Sequence, residues 1–181
     1  SYCATCDGFF FQGKRVIVVG AGDSGLVEAL FLTRFAESVA ILVRHPKEDP
    51  RAIRGSAVLR ERAAAHPKIR FLWNREVAEV VGDTSVEAIR LRRLDDRQVE
   101  EVPVDGIFVT IGHRPQTEFL RGTVPLDPDG YILTDSRLRT SIPGIFAAGD
   151  ARVEAHRYAQ AVVAAGEGAT ASLEAERYLA E

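Results

Sequence analysis

Methionine is missing from all 181 residues, and cysteine occurs only twice. A chain that opens Ser1-Tyr2-Cys3 without methionine is expected to be a piece of a longer protein. Two cysteines are too few for the disulfide framework of a small secreted domain and fall short of the four ligands of a structural zinc site. None of the four histidines sits in a local ligand pattern, so no metal is expected. Long apolar runs are also lacking: residues 16–19 and 145–148 are among the longest, far below the roughly 20 residues a membrane-crossing helix needs. With no charged-then-apolar leader either, neither membrane insertion nor export is expected. A dominant charge sign is absent too. The 23 Lys and Arg against 26 Asp and Glu give a net charge of -3, which offers nucleic acid or an anionic membrane no attracting field. What remains is 46% hydrophobic and 27% charged, the composition of a globular chain with a buried core.

The two cysteines are Cys3 and Cys6, in Cys-Ala-Thr-Cys spacing. Having the only pair of thiols fall in C-x-x-C spacing points to a redox dithiol rather than to two incidental residues.

Residues 14–19 step from a basic residue into a continuous apolar run bounded by Gly20, which predicts a buried parallel strand. Asp23 or Ser24 then caps a helix with Leu26, Ala29, Leu30 and Thr33 on its apolar face, and residues 38–43 return as a second buried strand. A helix over 53–65 and a strand over 69–73 follow. From 75 to 104 the apolar period shortens to two, with Gly82-Asp83 and Asp95-Asp96 as turn signals, predicting an antiparallel meander. Residues 105–111 form one more buried strand. Proline and glycine then cluster, helical periodicity resumes around 156–179, and a domain boundary is expected near Gly112.

Gly20-Ala21-Gly22-Asp23-Ser24-Gly25 directly follows a strand and opens a helix, the context that makes G-x-G-x-x-G a dinucleotide fingerprint. Gly20 permits the tight turn, Gly22 lets the backbone approach a pyrophosphate, and Gly25 lets helix and strand pack closely. The anion then meets unpaired N–H groups at a helix N-terminus. A site for unphosphorylated ribose commonly ends its second strand in Asp or Glu. Here that strand ends in Arg44-His45, with Lys47, Arg51 and Arg54 beyond, which suits a 2'-phosphate and hence NADPH. Arg44 has the strongest position; Lys47 and Arg54 are equally compatible with a solvated loop.

The segment Ser1-Tyr2-Cys3-Ala4-Thr5-Cys6-Asp7-Gly8-Phe9-Phe10, the fingerprint, Phe31-Leu32-Thr33, Ile111-Gly112-His113-Arg114-Pro115 and Gly144-Ile145-Phe146-Ala147-Ala148-Gly149-Asp150 together resemble bacterial-type low-molecular-weight thioredoxin reductase. The resemblance implies an α/β fold: residues 1–111 as a Rossmann-like NADPH-binding domain with a parallel sheet and an antiparallel β-meander, carrying the C-x-x-C pair. It implies that residues 112–181 are the C-terminal part of a second Rossmann-like domain, which binds FAD once its N-terminal half is supplied. It also implies a cytoplasmic homodimer that reduces thioredoxin. Carried over by position, Cys6 faces the flavin, Cys3 is the thiol that attacks thioredoxin, and Asp7 protonates the departing thiolate. Read alone, Asp7 is equally a turn residue before Gly8. A short apolar strand would deliver Gly149 and Asp150 to the flavin's ribityl chain, with Gln160 and Ala161 at its ring. Two departures stand out: Arg44-His45-Pro46-Lys47 replaces the family's His-Arg-Arg run, and Ala159 stands where an arginine is usual.

Two other readings remain: a flavin-dependent disulfide reductase fed by ferredoxin, and a nucleotide-binding or redox-sensing module without turnover. Gly22 and Arg44 argue against the first. The absence of a second G-x-G-x-x-G loop for FAD keeps the second open for this chain alone.

Overall fold

In the computed structural model, which describes residues 1–180, the chain divides into two units, Ser1–Gly112 and His113–Glu181. The first opens with one helical turn, α1 (Ala4–Asp7), followed by strand β1 (Arg15–Val19). Val16, Ile17 and Val18 are all fully buried, because both faces of this strand are covered; that is why it reads as unbroken apolar sequence. Helix α2 (Asp23–Leu32) crosses back to β2 (Ser38–Val43), which lies parallel to β1 with Arg15 opposite Ser38 and Val19 opposite Leu42. Next come α3 (Ala57–Ala65) and β3 (Ile69–Trp73). The meander is β4 (Arg75–Val81), β5 (Ala88–Arg93) and β6 (Val99–Pro103), and β7 (Gly106–Val109) closes the unit. The parallel sheet has the order β3-β2-β1-β7 and the antiparallel sheet the order β4-β5-β6.

Strand periodicity sorts the core into two layers. Val16, Val18, Ile41, Val43 and Phe108 face the helix side, with Leu26, Ala29, Leu32 and Ala63. Ile17, Ala40 and Leu42 face the other way and pack with Ile89, Leu91 and Val104 of the meander side. The parallel sheet is therefore covered by helices on one face and by the central meander strand on the other, the expected α/β class.

Element ends depart from the sequence reading where tertiary contacts compete. The cap of α2 is Gly22, not Asp23 or Ser24. The Asp23 carboxylate instead accepts the Ser56 amide at 2.8 Å. Helix α3 starts at Ala57 rather than at 53, because Arg54 N–H goes to the Ala21 carbonyl and Gly55 packs on Leu26. The closing strand, Gly106–Val109, is shorter than 105–111, although the flanking Asp105 and Thr110 amides still bond the Arg15 and Val19 carbonyls of β1.

The second unit has few strand contacts, all isolated bridges such as Arg139 with Phe146. The expected apolar strand into Asp150 does not form. Ile145 and Ala147 spend their backbone groups locally, on Thr140 and Leu138, and Gly149–Ala151 is a 3-10 turn. Helix α4 (Ala161–Ala180) begins later than expected, because residues 153–158 are turns and Ala159 has φ +45°. Buried ion pairs sit here beside a few buried apolar residues such as Val124, Ile132 and Leu138. Glu174 is 5% exposed and meets Arg137 and Arg177, each at 2.6 Å. Arg152, equally buried, meets Glu167 at 2.5 Å and Glu154 at 2.8 Å.

Candidate functional site

The Cys-Ala-Thr-Cys turn is held by its small residues. Ala4 is buried in the helix-side core, and a side chain at Gly8 would press on Leu32 and Phe35 at 3.3 and 3.4 Å. These two fixed points leave Cys6 exposed and Cys3 half-buried, joined as a disulfide with their Cα atoms 5.3 Å apart. Cys3 is also the N-cap of α1, its sulfur accepting the Cys6 amide at 3.1 Å. Ser1 is tied to β7 by Ser1 N to the Ile107 carbonyl and Val109 N–H to the Ser1 carbonyl. From there its hydroxyl donates to Asp7 Oδ2 at 2.6 Å. Ser1, a residue the sequence reading passed over, thus orients Asp7 beside the dithiol. Around them Tyr2, Phe9 and Phe10 are exposed.

Strands β1, β2 and β7 run parallel, so their C-terminal ends meet at one edge, where open α/β sheets bind ligands. A cleft of about 510 Å³ opens there. The three fingerprint glycines have distinct geometry. Gly20 has φ +118°, and a Cβ on it would sit 2.6 Å from the Thr110 carbonyl oxygen; a Cβ on Gly25 would run into the Gly20 carbonyl oxygen. At Gly22 nothing lies within 4 Å of that position, because it faces the cleft. Gly20, Gly22, Arg44, His45 and Arg51 therefore share the cleft, while Gly25 packs behind it and Asp23 and Ser24 lie outside its lining. Arg54 also lines it. Lys47 does not: it borders a separate groove against Phe71 and Trp73.

Arg44, His45 and Arg51 at the cleft each have an acidic partner. Arg44 lies 3.9 Å from Glu76, and Arg44 and Arg51 both have side chains 75% exposed. Asp49 takes His45 Nδ1 at 3.2 Å and Arg51 at 2.9 Å. Hydrogen bonds from the Arg51 side chain and backbone hold the Asp49 carboxyl far below the usual carboxylate range, and Asp49 in turn raises Arg51. Arg75 and Thr110 also line the cleft and were not read from the sequence. Thr110 could have been found, since it follows β7 where that strand ends level with β1. Glycine geometry, room and cationic rim together meet the needs of a phosphorylated dinucleotide.

In the second unit Gly149 has φ +75°, and a Cβ there would press on Ala164 of α4 at 3.2 Å. Its amide donates to Glu167 at 2.8 Å. This contact seats the exposed Asp150 near the head of α4, where Gln160 and Ala161 begin the helix. A carboxylate and an amide side chain at a helix start suit the hydroxyls and ring edge of a flavin. Among the described residues no three His, Cys, Asp or Glu side chains cluster as metal ligands, and no helix is long and apolar enough to cross a membrane.

Known proteins were then compared with the chain. It is 46% identical over 181 residues to a thioredoxin reductase of Streptomyces coelicolor, covering 99% of this chain and 54% of that protein. To a thioredoxin reductase of Mycolicibacterium smegmatis it is 47% identical over 182 residues, covering 100% and 56%. A solved thioredoxin reductase from Streptococcus pyogenes superposes with a TM-score of 0.88 at 37% identity, over 99% of this chain and 56% of that one. The chain spans about half the length of the curated relatives it matches. Residues 1–168 match the family model described as pyridine nucleotide-disulphide oxidoreductase. With the disulfide and the glycine cleft built on one parallel sheet, the chain belongs to the pyridine nucleotide-disulphide oxidoreductase family.

Proposed function

We propose that the chain is the dinucleotide-binding and dithiol-bearing part of an NADPH-dependent thioredoxin reductase that also uses FAD. One observation carries this reading: the Cys3–Cys6 disulfide and the fingerprint cleft belong to the same unit. In it, residues 1–111 are the NADPH domain and residues 112–181 part of the FAD domain. Gly20, Gly22 and the start of α2 hold the pyrophosphate, with Asp23, Ser24 and Gly25 shaping that turn. Arg44, His45 and Arg51 hold the 2'-phosphate, and Gly149, Asp150, Gln160 and Ala161 contribute to the flavin site. The protein works as a homodimer in the cytoplasm, where thiols are kept reduced.

The bound nicotinamide and flavin supply an electron pair. The chain's own residues do the rest. Two electrons and two protons convert the Cys3–Cys6 disulfide into a dithiol. Cys3 gives its proton to the Asp7 carboxylate and, as thiolate, attacks one sulfur of the thioredoxin disulfide, whose other sulfur leaves as a thiolate. Asp7, oriented by Ser1, returns that proton to the leaving group. Cys6 then attacks the mixed disulfide as a thiolate, its proton passing to the second thioredoxin sulfur, which restores Cys3–Cys6 and releases thioredoxin as a dithiol.

The test is trapping. A Cys6→Ser chain, reduced and mixed with oxidised thioredoxin, is expected to accumulate a mixed disulfide through Cys3, and Cys3→Ser to accumulate none. Trapping only by Cys3→Ser reverses the roles, and trapping by neither removes thioredoxin as the partner.

A further inference from the structure

Three features stand outside that mechanism: the Phe71 and Trp73 groove, the polar groove around Tyr131 and His156, and the carboxylate between two cleft cations. The third carries an inference, which rests on the reading of Arg51 as part of the 2'-phosphate site. We infer that Asp49 is the positioning residue that sets the preference for NADPH over NADH.

Asp49 sits in a closed turn. Its amide donates to the Pro46 carbonyl at 3.1 Å, and its own carbonyl accepts the Ala52 amide at 2.9 Å. The loop thus fixes the carboxylate, whose side chain is only 14% exposed. Oδ1 accepts the Arg51 amide at 2.8 Å and Arg51 Nε at 3.1 Å; Oδ2 accepts Arg51 Nη2 at 2.9 Å. His45 Nδ1 comes to the same Oδ2 at 3.2 Å. One carboxylate therefore ties down both His45, the residue after Arg44, and Arg51.

The Nε and Nη2 edge of the guanidinium is used by Asp49. Of the five N–H donors of an arginine, this leaves those of Nη1 and one of Nη2, which form the end-on fork that takes a phosphate. An exposed arginine loses side-chain freedom when a ligand immobilises it, and a side-on clamp has already removed much of that freedom. Asp49 also fixes which imidazole nitrogen of His45 faces the turn, leaving Nε2 for the cleft. Such preorganisation favours the ligand that has a phosphate there and is indifferent to the one that lacks it.

The experiment measures NADPH and NADH binding to the chain by titration calorimetry, for wild type, Asp49→Asn, Arg51→Ala and the double variant, with circular dichroism as a check on folding. Asn keeps the oxygen that accepts the Arg51 amide and Nε, so the turn persists, while the charge and the contacts of Oδ2 with Arg51 Nη2 and His45 Nδ1 are lost. Asp49→Asn is expected to weaken NADPH about three- to tenfold and to leave NADH within about twofold. With Arg51 already removed, the Asp49 substitution should cost little more. Tighter NADPH binding in Asp49→Asn, equal losses for both nucleotides, or fully additive effects in the double variant overturn the inference. If Arg51→Ala itself leaves the preference unchanged, the 2'-phosphate reading fails, and the inference with it. If Arg51→Ala lowers the preference while Asp49→Asn does not, the reading stands and only the role of Asp49 falls.

Discussion

A single methyl group separates two kinds of glycine in the fingerprint. At Gly25 it would meet the Gly20 carbonyl oxygen, so Gly25→Ala must push helix α2 off β1 and should destabilise the unit by about 1–3 kcal/mol in chemical denaturation. At Gly22 it meets open space and the backbone has φ -83°, so Gly22→Ala should unfold like the wild type. It should nonetheless lose most of its NADPH affinity in fluorescence titration, because the methyl group occupies the path of the pyrophosphate. Normal nucleotide binding by Gly22→Ala would place the ligand elsewhere. Arg44→Glu tests the rim: a charge-assisted hydrogen bond to phosphate contributes about 1.5–3 kcal/mol, so NADPH should weaken by at least about tenfold while NADH stays nearly constant. Equal loss of both would make Arg44 a solvated residue. The placement of these residues around the cleft was legible because glycine spacing and the basic end of β2 are local signals. The pairing of Arg51 and His45 through Asp49 was not, because a carboxylate in a charged loop looks like any other until the turn closes around it.

Between elements, Arg15 and Asp105 tie the start of β1 to the start of β7. Asp105 accepts the Arg15 amide at 2.8 Å, Nε at 3.0 Å and Nη2 at 3.0 Å, and returns its own amide to the Arg15 carbonyl. Hydrogen bonds from the Arg15 side chain and backbone hold the Asp105 carboxyl down to about 2, from 3.8. A carboxyl whose folded value is depressed contributes stability that is complete above its unfolded value and is lost as pH falls toward the folded one. The window is therefore about pH 4 down to pH 2. Asp105→Asn should lower stability at pH 7 by about 1–3 kcal/mol and flatten the acid limb in that window; an unchanged limb would assign it to other carboxylates. Strands β1 and β2 were legible since burial on both faces leaves an unbroken apolar run, whereas β3, at the sheet edge, carries the exposed Arg70 within its apolar residues. The start of α3 and the strand into Asp150 were misread because their backbone groups are claimed by partners remote from, or folded back within, the sequence window: Ala21 and Asp23 in one case, Leu138 and Thr140 in the other.

At the scale of the molecule, the two units hold themselves together by different means. Both apolar clusters lie wholly within Ser1–Gly112, and its parallel sheet is covered on both faces. In the other unit Phe119, Val162, Leu173 and Leu179 are each more than half exposed, and Glu174 and Arg152 occupy interior positions through ion pairs. A buried ion pair offsets its own desolvation but adds little net stability, whereas burying apolar area contributes about 25 cal/mol per Å². Cooperative stability should therefore reside in the first unit. Residues 1–112 expressed alone are expected to unfold in a single transition and to bind NADPH within about threefold of the full chain, since the whole cleft lies inside them. In hydrogen exchange of the full chain, amides of β1 and β2 should be protected to near the global unfolding free energy, and those of α4 should exchange through local opening. Protection of α4 equal to that of β1, together with loss of nucleotide binding by residues 1–112, would show instead that the ion-paired unit is required to fold the sheet.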